Sequence, residues 1–307
     1  MPLLNVGQGG TRLKSAGAQK RENAMSTSVR SLDGVRRRCL VLPLALAAVM
    51  AAPAAGLAAE PGAAMAPVDP RESTWNSIEL DIFPEGRIGA ADGLVALTAP
   101  GRAEDAALVP LTVALSLPPD DQRSFRAVTV VIDENPAPVV GRFSFGEGQR
   151  DFSLTLRARV NADSYVRAVV ETSDGARHMT KVFVKAAGGC SAPATKDTAE
   201  SIAHLGAIRF RSFADTGREE AQVQIRHPNF SGLQMDPVTR GYTPAWFLRQ
   251  VEITQDGRRL LAMEGGISIS EDPTFRFSYK PSAAPVTVRA EDTEGKVFQG
   301  TFPGSGS

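Results

Sequence analysis

Two cysteines and three histidines in 307 residues leave little with which to hold a metal or a haem. That scarcity excludes a zinc-finger array, a disulfide-dense scaffold and a c-type haem, which needs a C-x-x-C-H run. Excess charge of either sign is also missing: 34 basic residues face 34 acidic ones. A balance of this kind argues against nucleic acid as a partner. Beyond the N-terminus no apolar run is long enough to span a bilayer. What is there is 42% hydrophobic and 22% charged, enough apolar material for real cores, so chain-wide disorder is excluded. The length suits two domains or one large one.

The N-terminus reads as an export signal. Arg36, Arg37 and Arg38 are a basic head, Leu40 to Ala55 an apolar stretch broken by Pro43 and Pro53, and Gly56-Leu57-Ala58 a small-residue cleavage site. The alternative, an uncleaved anchor, is disfavoured by the short, Pro-broken stretch. Arg37-Arg38-Cys39-Leu40-Val41 fits a loose twin-arginine pattern, with an ordinary Sec signal as the other route. Met25 is an alternative start. Cleavage after Ala58 removes eight basic residues and two acidic ones, a net of +6, so the mature part of this neutral chain carries about −6. It also removes Cys39, leaving Cys190 as the one mature cysteine. That thiol must be free, modified or paired with another molecule.

Two blocks of period-2 alternation follow. In the first, Leu111, Val113, Leu115 and Leu117 alternate with smaller residues, as do Val128, Val130 and Ile132, then Phe152, Leu154 and Leu156. Val166, Ala168 and Val170 lead to a Ser173-Asp174-Gly175 turn and a return strand over 179–185. In the second block Val223 and Ile225, Val251 and Ile253 before Asp256-Gly257, Phe275 to Tyr279, and Val286 and Val288 before Glu294-Gly295 mark strands, with a last one over 296–302. Blocks of this length with this spacing predict two immunoglobulin-like or fibronectin-like antiparallel β-sandwiches, an all-β fold. Between them lies Ala186 to Leu205. It holds Gly188-Gly189-Cys190-Ser191-Ala192-Pro193 and then Asp197-Thr198-Ala199-Glu200, a capping box for a short helix stopped by Gly206.

Enzyme constellations are wanting. His178, His204 and His227 have no metal-ligand spacing and read as surface or strand histidines. Ser144 and Ser191 lie in no G-x-S-x-G elbow. Gly146-Glu147-Gly148 is a turn with no helix behind it, and Glu171/Asp174 and Glu271/Asp272 read as solvated turn acids. Cys190 stands apart. Its neighbours Gly188, Gly189 and Ser191 are small, so it is expected exposed on a flexible loop, open to covalent chemistry at a partner's active site. No general base lies in its local sequence, so it reads as a carried group and not a self-activated nucleophile. An incidental free thiol and a dimer-forming disulfide are the other readings. Fast labelling of the native thiol is expected; slow labelling that needs denaturant would show Cys190 buried and defeat the carrier reading.

The run Val182-Phe183-Val184-Lys185-Ala186-Ala187-Gly188-Gly189-Cys190 resembles the C-terminus of SoxY, the periplasmic carrier of thiosulfate oxidation. Ala99-Pro100-Gly101-Arg102-Ala103-Glu104-Asp105-Ala106, Val109 to Val113, Asn135-Pro136-Ala137-Pro138, Val166 to Val169 and Asp174-Gly175 extend the likeness. The second block resembles SoxZ through Ile225-Arg226-His227-Pro228, Gly232-Leu233, Pro244-Ala245-Trp246-Phe247, and Ser268-Ile269-Ser270 with Pro273. The order resembles fused SoxYZ-like carriers associated with quinoprotein dehydrogenases. The resemblance implies two immunoglobulin-like sandwiches held face to face, no cofactor, and a covalent carrier at Cys190 that serves periplasmic sulfur-oxidising or quinoprotein dehydrogenase-type enzymes without itself being one. Ser191-Ala192-Pro193 departs from the family's free Gly-Gly tail, so the loop enters a partner doubled over. The chain then reads as an export signal over 1–58, a flexible segment over 59–76, a SoxY-like sandwich over 77–187, a Cys-bearing linker with a short helix over 188–205, and a SoxZ-like sandwich over 206–303.

Overall fold

The computed structural model describes residues 70–193, 198–215, 218–236 and 239–304. The export signal and residues 59–69 of the expected flexible segment lie outside them. Residues 70–76, read as flexible, are helical: a 3-10 turn over Pro70–Glu72 runs into α1 (Ser73–Ile82). Spacing explains the correction. Trp75, Ile78 and Ile82 recur at helical intervals and pack on Val131 and Val169.

The first block carries β1 (Ile88–Ala90), β2 (Val95–Thr98), β3 (Val109–Ser116), β4 (Phe125–Ile132), β5 (Val139–Phe145), β6 (Asp151–Ala158), β7 (Ser164–Thr172) and β8 (Arg177–Val184). After α2 (Thr198–Ala203), the second carries β9 (Ile208–Asp215), β10 (Arg218–Ile225), β11 (Leu248–Gln255), β12 (Arg258–Gly265), β13 (Thr274–Ser278), β14 (Val286–Asp292) and β15 (Val297–Phe302). All ten strands read from alternation are present. In β6 and β14 every second residue is buried, as one wet face requires. β4 and β7 are instead buried on both faces, because α1 covers the outer one.

The two sandwiches meet edge to edge, not face to face. One sheet runs β1-β8-β7-β4-β5-β12-β11-β14-β15 and the other β2-β3-β6-β13-β10-β9. The block boundary falls at β5 against β12, where Phe143 stands opposite Met263, and at β6 against β13, where Leu154 stands opposite Phe277. Strand edges left raw by each half are closed by the other. The core is continuous across the seam: the rings of Phe143 and Phe275 meet edge-on at 6.0 Å, and those of Phe152 and Phe277 stack at 6.3 Å. The short linker helix forms as expected, while its capping residue Asp197 lies outside the described residues. Gly206 ends it at φ +76°, where a Cβ would sit 1.9 Å from the Phe298 ring.

Candidate functional site

The segment after β8 does not leave the surface. Lys185 pairs with the Gly101–Ala103 backbone, its N–H donating to Gly101 O at 3.1 Å and its carbonyl accepting from Ala103 N at 2.9 Å. Ala186 N then donates to Asp163 Oδ1 at 3.0 Å, Gly188 N to Asn161 O at 2.7 Å and Gly189 N to Val160 O at 3.1 Å. Gly188 sits at φ +72°, and a Cβ on Gly189 would lie 2.1 Å from Ala106 O and 2.5 Å from Val160 O. Only glycine approaches a neighbouring backbone this closely. The two glycines therefore make the loop fit a crevice, a role that their reading as flexible joints did not include.

Cys190, expected exposed, is fully buried. The correction has a physical cause outside the loop's own sequence. The second domain closes over it: Ser231 Oγ donates to Cys190 O, and Gln234 Nε2 donates to Ala192 O at 3.0 Å. Ser231 is itself held by Gln234, whose Oε1 accepts from Ser231 N at 3.1 Å. Ser191 remains exposed and turns back on Gly188, donating to its carbonyl at 3.2 Å. Burial pushes the thiol's pKa up to about 11, against the pull of the Arg159 charge. At neutral pH roughly one docked sulfur in 10⁴ would be thiolate, so the docked thiol is chemically quiet.

Arg159 is the functional-site residue that the sequence reading missed. It is 1% exposed, and its Nη2 donates to Asn229 O at 3.2 Å. Its Nε is buried without a hydrogen-bond partner. Around it the Ser268-Ile269-Ser270 run stitches the domains together. Arg159 N donates to Ser268 O at 2.7 Å, Ser270 Oγ to Ala107 O at 2.6 Å, and Asn135 Nδ2 to both Arg159 O at 2.7 Å and Ser268 Oγ at 2.9 Å. The motif residues thus fasten the crevice that receives Cys190.

The other polar candidates fall elsewhere. Glu271 and Asp272, read as solvated, are buried, and Asp272 takes an ion pair from Arg226 and the His227 N–H at 3.2 Å. His227 is buried as well, correcting the surface reading. Its Nδ1 accepts from Asn229 N at 3.0 Å, so the ring proton sits on Nε2, 3.6 Å from Asp292 Oδ2. Burial lowers its pKa and keeps the ring neutral. Trp246 Nε1 donates to the same Asp292 oxygen at 2.8 Å. His178 bonds Ala90 O at 3.0 Å on β8, and His204 is exposed. Ser144 lies on β5, with no histidine against it among the described hydrogen bonds. Gly146-Glu147-Gly148 is the expected turn between β5 and β6. Among the described residues no group of His, Cys, Asp and Glu could hold a metal ion, and no helix is long and apolar enough to cross a membrane.

Comparison with known proteins divides the chain at the same place. Residues 80–190 match the family Sulfur oxidation protein SoxY, the match ending on Cys190, and residues 209–303 match Sulphur oxidation protein SoxZ. No curated protein matches the chain. Among solved structures, the sulfur carrier protein SoxY from Chlorobium limicola f thiosulfatophilum is 23% identical, over 38% of this chain and 94% of that one, with a TM-score of 0.30. The chain is a SoxY domain joined to a SoxZ domain in one polypeptide, the arrangement of a fused SoxYZ-like protein of sulfur oxidation.

Proposed function

We propose that this protein is a non-catalytic carrier of sulfur intermediates, held covalently on Cys190 and presented to partner enzymes in the periplasm. The observation that carries the reading is the placement of Cys190: the last residue of the SoxY match sits in a crevice built by both domains, against a buried cation. The loop works between two positions. Docked, it shields the sulfur from water and oxidants, and the high thiol pKa keeps it unreactive. Undocked, the thiol returns to the ordinary cysteine value of 9.0 and becomes a nucleophile. Release from the crevice, and not permanent exposure, is then the step that admits a partner. Sulfur-oxidising enzymes are the partner class that the two domains support; a quinoprotein dehydrogenase is the narrower proposal. Ser191-Ala192-Pro193 continues the chain past the sulfur, so the partner's site must accept a doubled strand.

Mass spectrometry of the protein isolated from its source cells tests this. Sulfane, sulfonate or thiosulfonate mass on Cys190, lost in Cys190→Ser with the fold intact, is expected. An unmodified thiol under sulfur-oxidising growth overturns it. The burial of Cys190 also favours a second reading, an accessory binding protein with an incidental cysteine. Under that reading the thiol labels only after global unfolding. Under the carrier reading it labels without denaturant, more slowly than a free peptide thiol.

A further inference from the structure

A buried guanidinium with an unpaired N–H donor lies near enough to the carrier cysteine for each to act on the other's charge. Arg159 is 1% exposed and its Nε has no hydrogen-bond acceptor. Buried N–H groups are nearly always paired, and leaving one unpaired is costly. Its Nη2 is already taken by Asn229 O. Burial acts on it most strongly, and then the charges of Glu271, Cys190 and Asp105 in that order. The adjoining backbone places the pair: Val160, the next residue, accepts from Gly189, the residue before Cys190. The crevice therefore puts a fixed positive donor beside a sulfur whose own protonated form, a neutral thiol, makes no use of it.

We propose that Arg159 is the anion-binding group of the docked loop, and that its open Nε–H holds the terminal oxyanion of a sulfonate-type adduct on Cys190. A guanidinium donates charge-assisted hydrogen bonds to oxyanions, and these are about twice as strong as neutral ones. The loaded loop then docks more firmly than the empty one. Adducts ending in an oxyanion are retained, and uncharged ones, a methyl disulfide for instance, are not. This rests on the carrier reading, yet the test separates the two, because the adduct is made chemically whether or not cells make one.

Tetrathionate supplies the anionic probe. The Cys190 thiolate attacks one central sulfur, an S–S bond forms, and thiosulfate leaves with the electron pair, giving Cys190–S–S–SO₃⁻. Methyl methanethiosulfonate gives the neutral control, Cys190–S–S–CH₃, with methanesulfinate leaving. Each adduct is then released by a water-soluble phosphine, and each rate is divided by that of the same adduct on an unstructured Gly-Gly-Cys peptide. In the full chain the anionic adduct should be protected at least tenfold more than the methyl one. Arg159→Gln should speed its release about 10- to 100-fold, the span of a charge-assisted hydrogen bond, and shift the methyl adduct less than threefold. Arg159→Lys should recover part of the protection. Equal acceleration of both adducts would show a merely structural arginine and overturn the proposal, as would no acceleration of either. Should Arg159→Gln fail to fold, the ratio of the two adducts in the unsubstituted protein decides alone, and a ratio near one overturns it.

Discussion

Two segments lie against the sandwiches from outside, and they are fastened by opposite means. Helix α1 is anchored by large apolar side chains: Trp75 and Phe83 are buried on Val131 and Val169. Beneath it Arg167, fully buried, pairs with Asp133 at 2.7 Å and Glu72 at 2.7 Å and lies 4.4 Å from the Trp75 ring centre. The Cys190 loop has no such anchor. Among Ala186, Ala187, Gly188, Gly189, Cys190 and Ser191 the largest side chain is the thiol itself, and backbone hydrogen bonds with two second-domain side chains hold the rest. Burying a tryptophan and a desolvated ion pair makes a permanent joint. A handful of hydrogen bonds, each worth about 0.5–1.5 kcal/mol net, makes a weaker one.

The comparison breaks first at the helix. Asp133→Ala strips the buried Arg167 of its main partner and should lower the protein's unfolding free energy by about 3–5 kcal/mol, read by urea denaturation. The same change should leave native labelling of Cys190 almost unmoved, since the loop docks elsewhere. Gly189→Ala is the converse. Its Cβ collides with Ala106 O and Val160 O, so the loop must come out, at an overpacking penalty of about 1–3 kcal/mol. Native thiol labelling should accelerate roughly 10- to 100-fold, while the thermal midpoint shifts far less than in Asp133→Ala. An unchanged labelling rate would show that the loop does not dock through Gly189.

Alkaline pH should work more gradually on the same joint. Docking raises the thiol pKa from 9.0 to about 11, so the docked state favours the protonated form. Its stabilisation is fully present below pH 9 and is lost as pH rises to about 11. Labelling measured against a peptide thiol should be flat below pH 9, then climb about tenfold per pH unit as the loop opens. A flat ratio to pH 11 would mean that the sulfur is solvated. The smallest effect is expected from Ser231→Ala, which removes the hydroxyl joining Cys190 O to Leu233 N. A loss of about 1 kcal/mol, roughly fivefold in labelling, is expected.

Much of the fold was legible because period-2 alternation survives wherever one face is wet. Leu111 to Leu117 and Phe152 to Leu156 announced β3 and β6 without ambiguity. β5 was not read, since Gly141 interrupts its apolar pattern and the neighbouring domain covers its edge. Arg159 escaped for the same reason. In Leu156-Arg157-Ala158-Arg159-Val160 the alternation puts both arginines on the wet face, and a single block has no way to show that a second domain will cover one of them. Cys190 repeats the lesson from the other side. Its small neighbours read as freedom, yet Gly189 is small because two carbonyls stand where a side chain would go. Composition reports what a segment can do alone, and the site is made where two blocks meet.

The shared sheets also set a clock on synthesis. β5 and β6 are complete once the chain reaches residue 158, but their partners β12 and β13 lie about 120 residues further on. At 5–20 residues per second the first half therefore waits on the order of ten seconds with two bare edges. Bare edges recruit any strand that comes near. A first half made without its second would be an adhesive fragment, and carrying both halves on one chain makes β12 and β13 the nearest strands to arrive.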